Sequence, residues 1–236
     1  MMIGIIGAMD VEIKELLSKM ENTVEEKQGL LTFYIGKING CECVVVKCGV
    51  GKVSAAVCAQ TLILRYNPDA VINIGVAGGI GEGIQIGDLV ISKSVVQHDM
   101  NTSALGDEIG LISGINKVYI DADEALSDLI YEYAKDIYSS NVFKGVIATG
   151  DIFVSENKMM KKIAEKFNAS ACEMEGGSVG QTCYMNDVPF VIIRSISDNG
   201  NDDASVDFMQ FAESSANKYG ELIFSILPHI KNNWRK

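Results

Sequence analysis

Ser170-Ala171-Cys172-Glu173-Met174-Glu175-Gly176-Gly177 is the stretch on which the reading of this chain turns. The residues before it read as a buried strand, and those after it as a helix. Two carboxylates bracket a methionine where strand becomes helix, and strand ends of this kind are where open α/β sheets place their ligands. Period-two alternation aims Glu173 and Glu175 to one side and Met174 to the other. The alternative is that both acids cap the following helix, whose positive end favours them.

Outward from this point the chain alternates strands and helices. Upstream, residues 142–148 read as a strand that ends in Thr149-Gly150-Asp151-Ile152-Phe153, and a helix over 156–167 follows. Downstream, residues 188–196 form the last buried strand, which closes on Arg194-Ser195-Ile196-Ser197-Asp198. Asn199-Gly200-Asn201-Asp202-Asp203 resembles half a calcium loop. It lacks the glycine and the glutamate that such a loop needs, so it reads as a flexible loop. Phe208, Phe211, Ser215, Tyr219, Leu222, Ile223, Ile226 and Leu227 then recur at helical spacing, and Pro228 is expected to end that helix.

The N-terminal half has the same grammar. Residues 2–8 are an apolar strand. Asp10 is placed to cap the next helix, which buries Ile13, Leu16, Leu17 and Met20 and carries Glu12 in its first turn. Strands over 32–38 and 42–48 flank an Asn39-Gly40 hairpin turn. Gly49-Val50-Gly51-Lys52 opens a helix over 53–66. It is not a phosphate loop, because Val53 stands where Ser or Thr is required and Val46 where glycine is. The strand over 70–74 runs into Gly75-Val76-Ala77-Gly78-Gly79, which fits no dinucleotide fingerprint and reads as backbone that comes close to something, the alternative being a turn with no ligand. A strand over 88–99 precedes a long loop over 101–116, and Leu126, Leu129, Ile130, Tyr133 and Ile137 mark another helix. The whole of 1–236 reads as one α/β domain, a sandwich with a twisted mixed central sheet flanked by helices.

Composition narrows the partners. Of 236 residues 47% are hydrophobic, enough for a sizeable core, and the net charge of −11 argues against nucleic acid or an anionic membrane. No apolar run is long enough to span a bilayer. No basic region precedes the first strand, so no signal peptide is expected. Six cysteines without a C-x-x-C pair read as buried reduced thiols of a cytoplasmic protein and not as a zinc site. His98 and His229 stand in no nucleophile or metal context. No metal and no cofactor is therefore expected.

What remains for chemistry is carboxylates at strand ends: Glu12, Glu173 with Glu175, and Asp198, accompanied by Arg194 and Ser197. Such a set suits cleavage at an anomeric carbon, where one acid protonates the leaving group and one base activates water. A third carboxylate can accept hydrogen bonds from two sugar hydroxyls.

Six blocks, in order, carry a resemblance. Ile3 to Met9 with Glu12, Gly49 to Val53, Asn73 to Gly79, Gly150 to Phe153, Glu173 to Glu175, and Arg194 to Asp198 closely resemble bacterial 5′-methylthioadenosine/S-adenosylhomocysteine nucleosidases of the purine nucleoside phosphorylase superfamily. The resemblance implies an N-glycosyl hydrolase of methionine salvage that releases adenine from a 5′-thio nucleoside, with no partner beyond nucleoside and water except a second copy of itself. It implies that Glu12 activates water and that Asp198, its pKa raised by burial, protonates adenine. It further implies that Glu175 grips the ribose, Met174 packs under the sugar, Phe153 stacks on adenine, and the Val154 backbone reads the base edge. Gly78 approaches the ligand through its backbone, and Arg194 and Ser197 support the water and the acid. Met9, Val50 and Phe208 line a slot for the 5′ group, and Glu173 stands behind.

Three positions depart from the family pattern: Val76 replaces a serine that helps hold the water, Leu105 replaces an aromatic, and Ser113 replaces a proline. The rival readings are a phosphorylase, which needs cations that the glycine loops lack, and a non-catalytic nucleoside sensor, for which Val76 is the one argument. Futalosine or another 5′-modified adenosine is the alternative substrate.

Overall fold

The computed structural model describes residues 1–199 and 204–234, and of the side chains between 204 and 217 only those of Phe211 and Ser215. The loop expectation for 200–203 and the side chain of Phe208 lie outside the described residues.

Apolar runs form the centre of the sheet. β1 (Met2–Gly7), β4 (Cys41–Lys47), β5 (Ala70–Gly79) and β10 (Phe190–Asp198) are mutually parallel in the order β4-β1-β5-β10. Strands covered on both faces need apolar residues at successive positions, which is the pattern of these four. β6 (Leu89–Gln97) pairs antiparallel with β10 and parallel with β8 (Val142–Thr149). β9 (Ala169–Glu173) runs parallel to β8 and returns antiparallel to the end of β5. The sheet therefore twists until β10, β6, β8, β9 and β5 close on one another. At the other end β3 (Leu31–Ile38) and β2 (Glu21–Gln28) extend the sheet antiparallel from β4, and β7 (Tyr119–Asp121) hangs on β6.

Helices cover both faces. α1 (Asp10–Ser18), α3 (Glu124–Ile137) and α6 (Ala204–Asn233) bury Ile13, Leu16, Leu126, Ile130, Leu222 and Ile226 against Ile3, Ile5, Ile72 and Ile74. α2 (Lys52–Tyr66) and α5 (Gly176–Met185) pack Ala55, Cys58, Leu62, Val179 and Cys183 on the opposite face, against Ile6, Val44, Val71 and Ile192. α4 (Asn157–Phe167) seals a smaller cluster at β8 and β9 with Met160, Ile163 and Phe167. All six cysteines are free thiols in this interior. Among the described residues no helix is long and apolar enough to cross a membrane.

Four expectations are corrected. β2 was not foreseen, because its sequence Glu-Asn-Thr-Val-Glu-Glu-Lys-Gln has no apolar face. It is an exposed edge strand held by backbone pairing to β3. The glycines after Ile74 do not form a turn but continue β5 to Gly79. Asp10 is the first helical residue and not the cap. The cap is Met9, whose N–H donates to Glu12 at 3.0 Å. Pro228 does not end α6, which runs to Asn233. A proline removes the N–H that would bond the carbonyl four residues earlier. That carbonyl, of Phe224, instead accepts the side-chain amide of Asn39 at 3.0 Å.

Candidate active site

The parallel strands carry their carboxyl ends to one rim, where a cavity of about 230 Å³ opens. Its wall is built from β1 and α1 (Met9, Glu12), the loop before α2 (Val50), the end of β5 (Val76, Gly78), the segment after β8 (Phe153), the β9–α5 junction (Glu173, Met174, Glu175) and the end of β10 (Ser197, Asp198). A smaller adjoining hollow adds Ile152 and Val154 beside Phe153.

Glu12 is 2% exposed. It sits at the third position of α1, where the unpaired N–H groups of the helix start point at it. Oε2 accepts the N–H of Ala8 at 2.6 Å and of Met9 at 3.0 Å, and Oε1 accepts the N–H of Val76 at 3.2 Å. Burial nevertheless pushes its carboxyl up, against the pull of Arg194 and these three donors. A carboxylate held this way is a fixed, basic oxygen at the cavity floor.

Asp198 lies across the cavity at the end of β10, in register with Gly78 of β5. It is buried, and its Oδ2 accepts the hydroxyl of Ser197 at 3.0 Å.

The two glutamates of the opening stretch do different work. β9 stops at Glu173, so the alternation that would point both the same way stops with it. Glu173 turns inward. It accepts N–H bonds from Glu175 at 3.0 Å and Gly176 at 2.7 Å, a hydroxyl bond from Thr149, and a charged bond from Arg194 Nη2. The helix-capping alternative is thus correct for Glu173 alone. Glu175 instead faces the loop before α2, and its Oε1 accepts the N–H of Gly51 at 2.8 Å. Burial, and then the Glu173 charge, raise its pKa to about 7.

Arg194 does not line the cavity. It is 1% exposed and lies behind the wall. Nη1 donates to the carbonyls of Asn73 and Ile193, and Nη2 to Asn73 Oδ1 at 2.6 Å and to Glu173. Burial works against its charge, but Glu173, Glu175 and Glu12 together hold its pKa above the ordinary value. Its Nε is the one guanidinium N–H group buried without a partner.

Met9, Val50, Gly78, Phe153, Met174 and Ser197 stand at the cavity, with Val154 in the adjoining hollow. Asn73 and Thr149 were missed, although a polar residue inside an otherwise apolar strand is the signal that finds Asn73. Leu105 and Ser113 are exposed on the long loop and do not reach the cavity.

A family profile described as the phosphorylase superfamily matches residues 2–228. A 5′-methylthioadenosine/S-adenosylhomocysteine nucleosidase of Shewanella sediminis is 38% identical over 231 residues, 98% of this chain and 100% of that one. The crystal structure of the Neisseria meningitidis enzyme of that name, in complex with methylthio-immucillin-A, superposes with a TM-score of 0.93 at 32% identity, covering 97% of this chain and 99% of the other. A futalosine hydrolase mutant of Helicobacter pylori is also similar, with a TM-score of 0.92 at 33% identity over 97% and 99% of the two chains.

Proposed function

The chain belongs to the phosphorylase superfamily, and from that membership and the geometry we propose how it works as a nucleosidase. It hydrolyses the N-glycosidic bond of 5′-methylthioadenosine and S-adenosylhomocysteine and releases adenine and a 5′-thioribose. The observation that carries the mechanism is the pair of buried carboxylates facing one cavity, Glu12 from the first turn of α1 and Asp198 from the end of β10.

Glu12, fixed by three N–H groups, takes a proton from the attacking water. Arg194 supports this site from behind the wall, through its charge on Glu12 and its bond to Glu173. Asp198, oriented by Ser197, gives its proton to the imidazole-ring nitrogen of adenine not bonded to the sugar, so the base leaves neutral. Glu175 accepts hydrogen bonds from the two ribose hydroxyls, and Met174 packs beneath the ring. Phe153 stacks on adenine, Val154 reads its edge through the backbone, and Gly78 lets the base come close. Met9 and Val50 form a wall of the slot for the 5′-thio group. Residues 1–236 act as one nucleoside phosphorylase-like domain of a cytoplasmic enzyme. The exposed Val53, Val57 and Leu64 on α2, beside Tyr184 and Met185 at the end of α5, support a homodimer joined through this face.

The experiment is adenine release from methylthioadenosine, S-adenosylhomocysteine and futalosine, each with and without phosphate. Release without phosphate, fastest for the two thio-nucleosides, is the expected result. Release that requires phosphate overturns the hydrolytic reading, and faster release from futalosine overturns the substrate.

A further inference from the structure

Lys52 follows the glycines of a loop that lacks the composition of a phosphate loop, and its ammonium is turned inward. Nζ donates to Asp99 Oδ1 at 2.7 Å and to Gln97 Oε1 at 3.2 Å. The other oxygen of Asp99, Oδ2, accepts the backbone N–H of Asp151 at 3.0 Å. Asp151 in turn accepts, at its own Oδ1, the backbone N–H of Lys52 at 2.7 Å. The three residues form a closed ring: the Lys52 side chain to Asp99, Asp99 to the Asp151 backbone, and the Asp151 side chain back to the Lys52 backbone.

The ring joins three segments that have no covalent neighbour in common: the end of β6, the start of α2 and the segment after β8. Each of its ends leads to the cavity. Two residues beyond Asp151 is Phe153, on the cavity wall. One residue before Lys52 is Gly51, whose N–H holds Glu175 at 2.8 Å. Gly51 has a φ of +95°, and a Cβ there would stand 3.0 Å from Asp151 Oδ1, so a bulkier residue would both strain the backbone and press on the ring.

The ring is charged in its working state. Burial pushes the Asp99 carboxyl up, but the bond and charge of Lys52 and the Asp151 N–H outweigh it and hold it below the usual carboxylate value. Charge-assisted hydrogen bonds of this kind are the stronger class. The Lys52 and Asp99 side chains are only 19% and 20% exposed, which limits screening by solvent.

We propose that Lys52 is a positioning residue of the nucleosidase: through Asp99 and Asp151 it sets the base-stacking segment at a fixed distance from the loop that orients the ribose-gripping Glu175. The inference rests on the nucleosidase reading. Base and ribose contacts exist both in bound substrate and in the transition state. Loosening them together weakens uniform binding, which appears in KM and leaves kcat nearly unchanged.

Steady-state adenine release from methylthioadenosine by Lys52→Met, Lys52→Arg, Asp99→Asn and the double variant Lys52→Met/Asp99→Asn is the test. Lys52→Met should raise KM about tenfold with kcat within about threefold of wild type. Lys52→Arg, which keeps the charge and two donors, should bring KM back to within about threefold of wild type. The double variant should be no worse than the poorer single variant, because both cut the same ring. A Lys52→Met protein with the wild-type melting temperature and the wild-type KM overturns the proposal. So does a double variant whose effects multiply, or an arginine variant no better than the methionine one. If Lys52→Met does not fold, Asp99→Asn against wild type gives the same readout. Wild-type protein that releases no adenine fails the nucleosidase reading itself, whereas active wild type with unaltered variants fails only the ring.

Discussion

Gly75→Ala separates the position of Glu12 from its chemistry. Gly75 lies inside β5, in register with Arg194 of β10, and its φ is not in the left-handed region. On backbone grounds alanine is the better strand residue there, by about 0.5–1 kcal/mol. Its methyl group is the difficulty. A Cβ at this position would stand 2.7 Å from Glu12 Oε1, 3.3 Å from Glu12 Cδ and 3.4 Å from Arg194 Cζ. Arg194 is held by Asn73, Ile193 and Glu173 and has nowhere to go. Glu12 is what moves, by roughly 0.7 Å to regain ordinary contact, and it retreats from the side on which Val76 donates to Oε1. That bond, at 3.2 Å, is the longest of its three and the first to be lost.

A hydrogen bond to a charged group is worth about 1.5–3 kcal/mol, and a misplacement of about 1 Å in a reacting group can cost on the order of 100-fold in rate. The expected result is a fall in kcat of about 100-fold, with KM within about threefold because the base and ribose contacts lie elsewhere. Adenine release read at the ultraviolet absorbance change, beside a melting curve of the same preparation, measures both. A folded Gly75→Ala protein with kcat within about threefold of wild type refutes the assignment of Glu12 as the base that activates water.

Glu12→Gln should keep the fold but turn an amide N–H toward at least one of the three backbone donors, which lowers stability by about 1–3 kcal/mol in denaturant titration and kcat by at least about 100-fold. Asp198→Asn should likewise stay folded and lose most turnover, and near wild-type adenine release by it would remove Asp198 from the mechanism. Val76→Ser should not reduce hydrolysis, because Val76 holds Glu12 through its backbone N–H and not its side chain; a large loss of kcat would show that the water is held in another way. Glu175, raised to about 7 in the free protein, must be ionised for the ribose-gripping role proposed for it, so kcat/KM should rise with pH through that value, and Glu175→Gln should abolish the rise. Because the folded pKa lies above the unfolded one, the same group stabilises the ligand-free protein below pH 4.5 and loses that contribution as pH climbs through about 7, a trend that melting temperature against pH reads and Glu175→Gln flattens.

What was legible in the sequence is what apolar pattern encodes. β1, β4, β5 and β10 are largely runs of buried residues, and each was visible as one. β2 was not, because an edge strand with exposed side chains is held by its backbone, which carries no sequence signal. The persistence of α6 through Pro228 depends on Asn39, 185 positions away from the carbonyl it satisfies. The site was legible as a set of residue types and not as an arrangement. Glu173 and Glu175 look equivalent in the chain, yet one pairs with Arg194, 21 residues downstream, and the other with the N–H of Gly51, 124 residues upstream. Both line the cavity, and only long-range packing divides the acid committed to an arginine from the one that is not.

That division also decides which nucleophile the cavity admits. Glu12, Glu173, Glu175 and Asp198 line it, and among the described residues no lysine, arginine or histidine does. The nearest guanidinium, of Arg194, has committed both terminal nitrogens to Asn73, Ile193 and Glu173. A phosphate at the position of the attacking water would face Glu12 at about 4 Å. There each pair of unit charges repels by about 4 kcal/mol at an effective dielectric of 20, and a dianion about doubles that. A neutral water meets no such barrier and finds in Glu12 an acceptor for its proton. To hold phosphate with its terminal nitrogens, as a bidentate clamp does, Arg194 would have to leave Glu173, and the buried carboxylate left unpaired behind the wall costs about 3–5 kcal/mol in its own right. The ion pair that holds the wall together is therefore also what reserves the chemistry of this superfamily member for water.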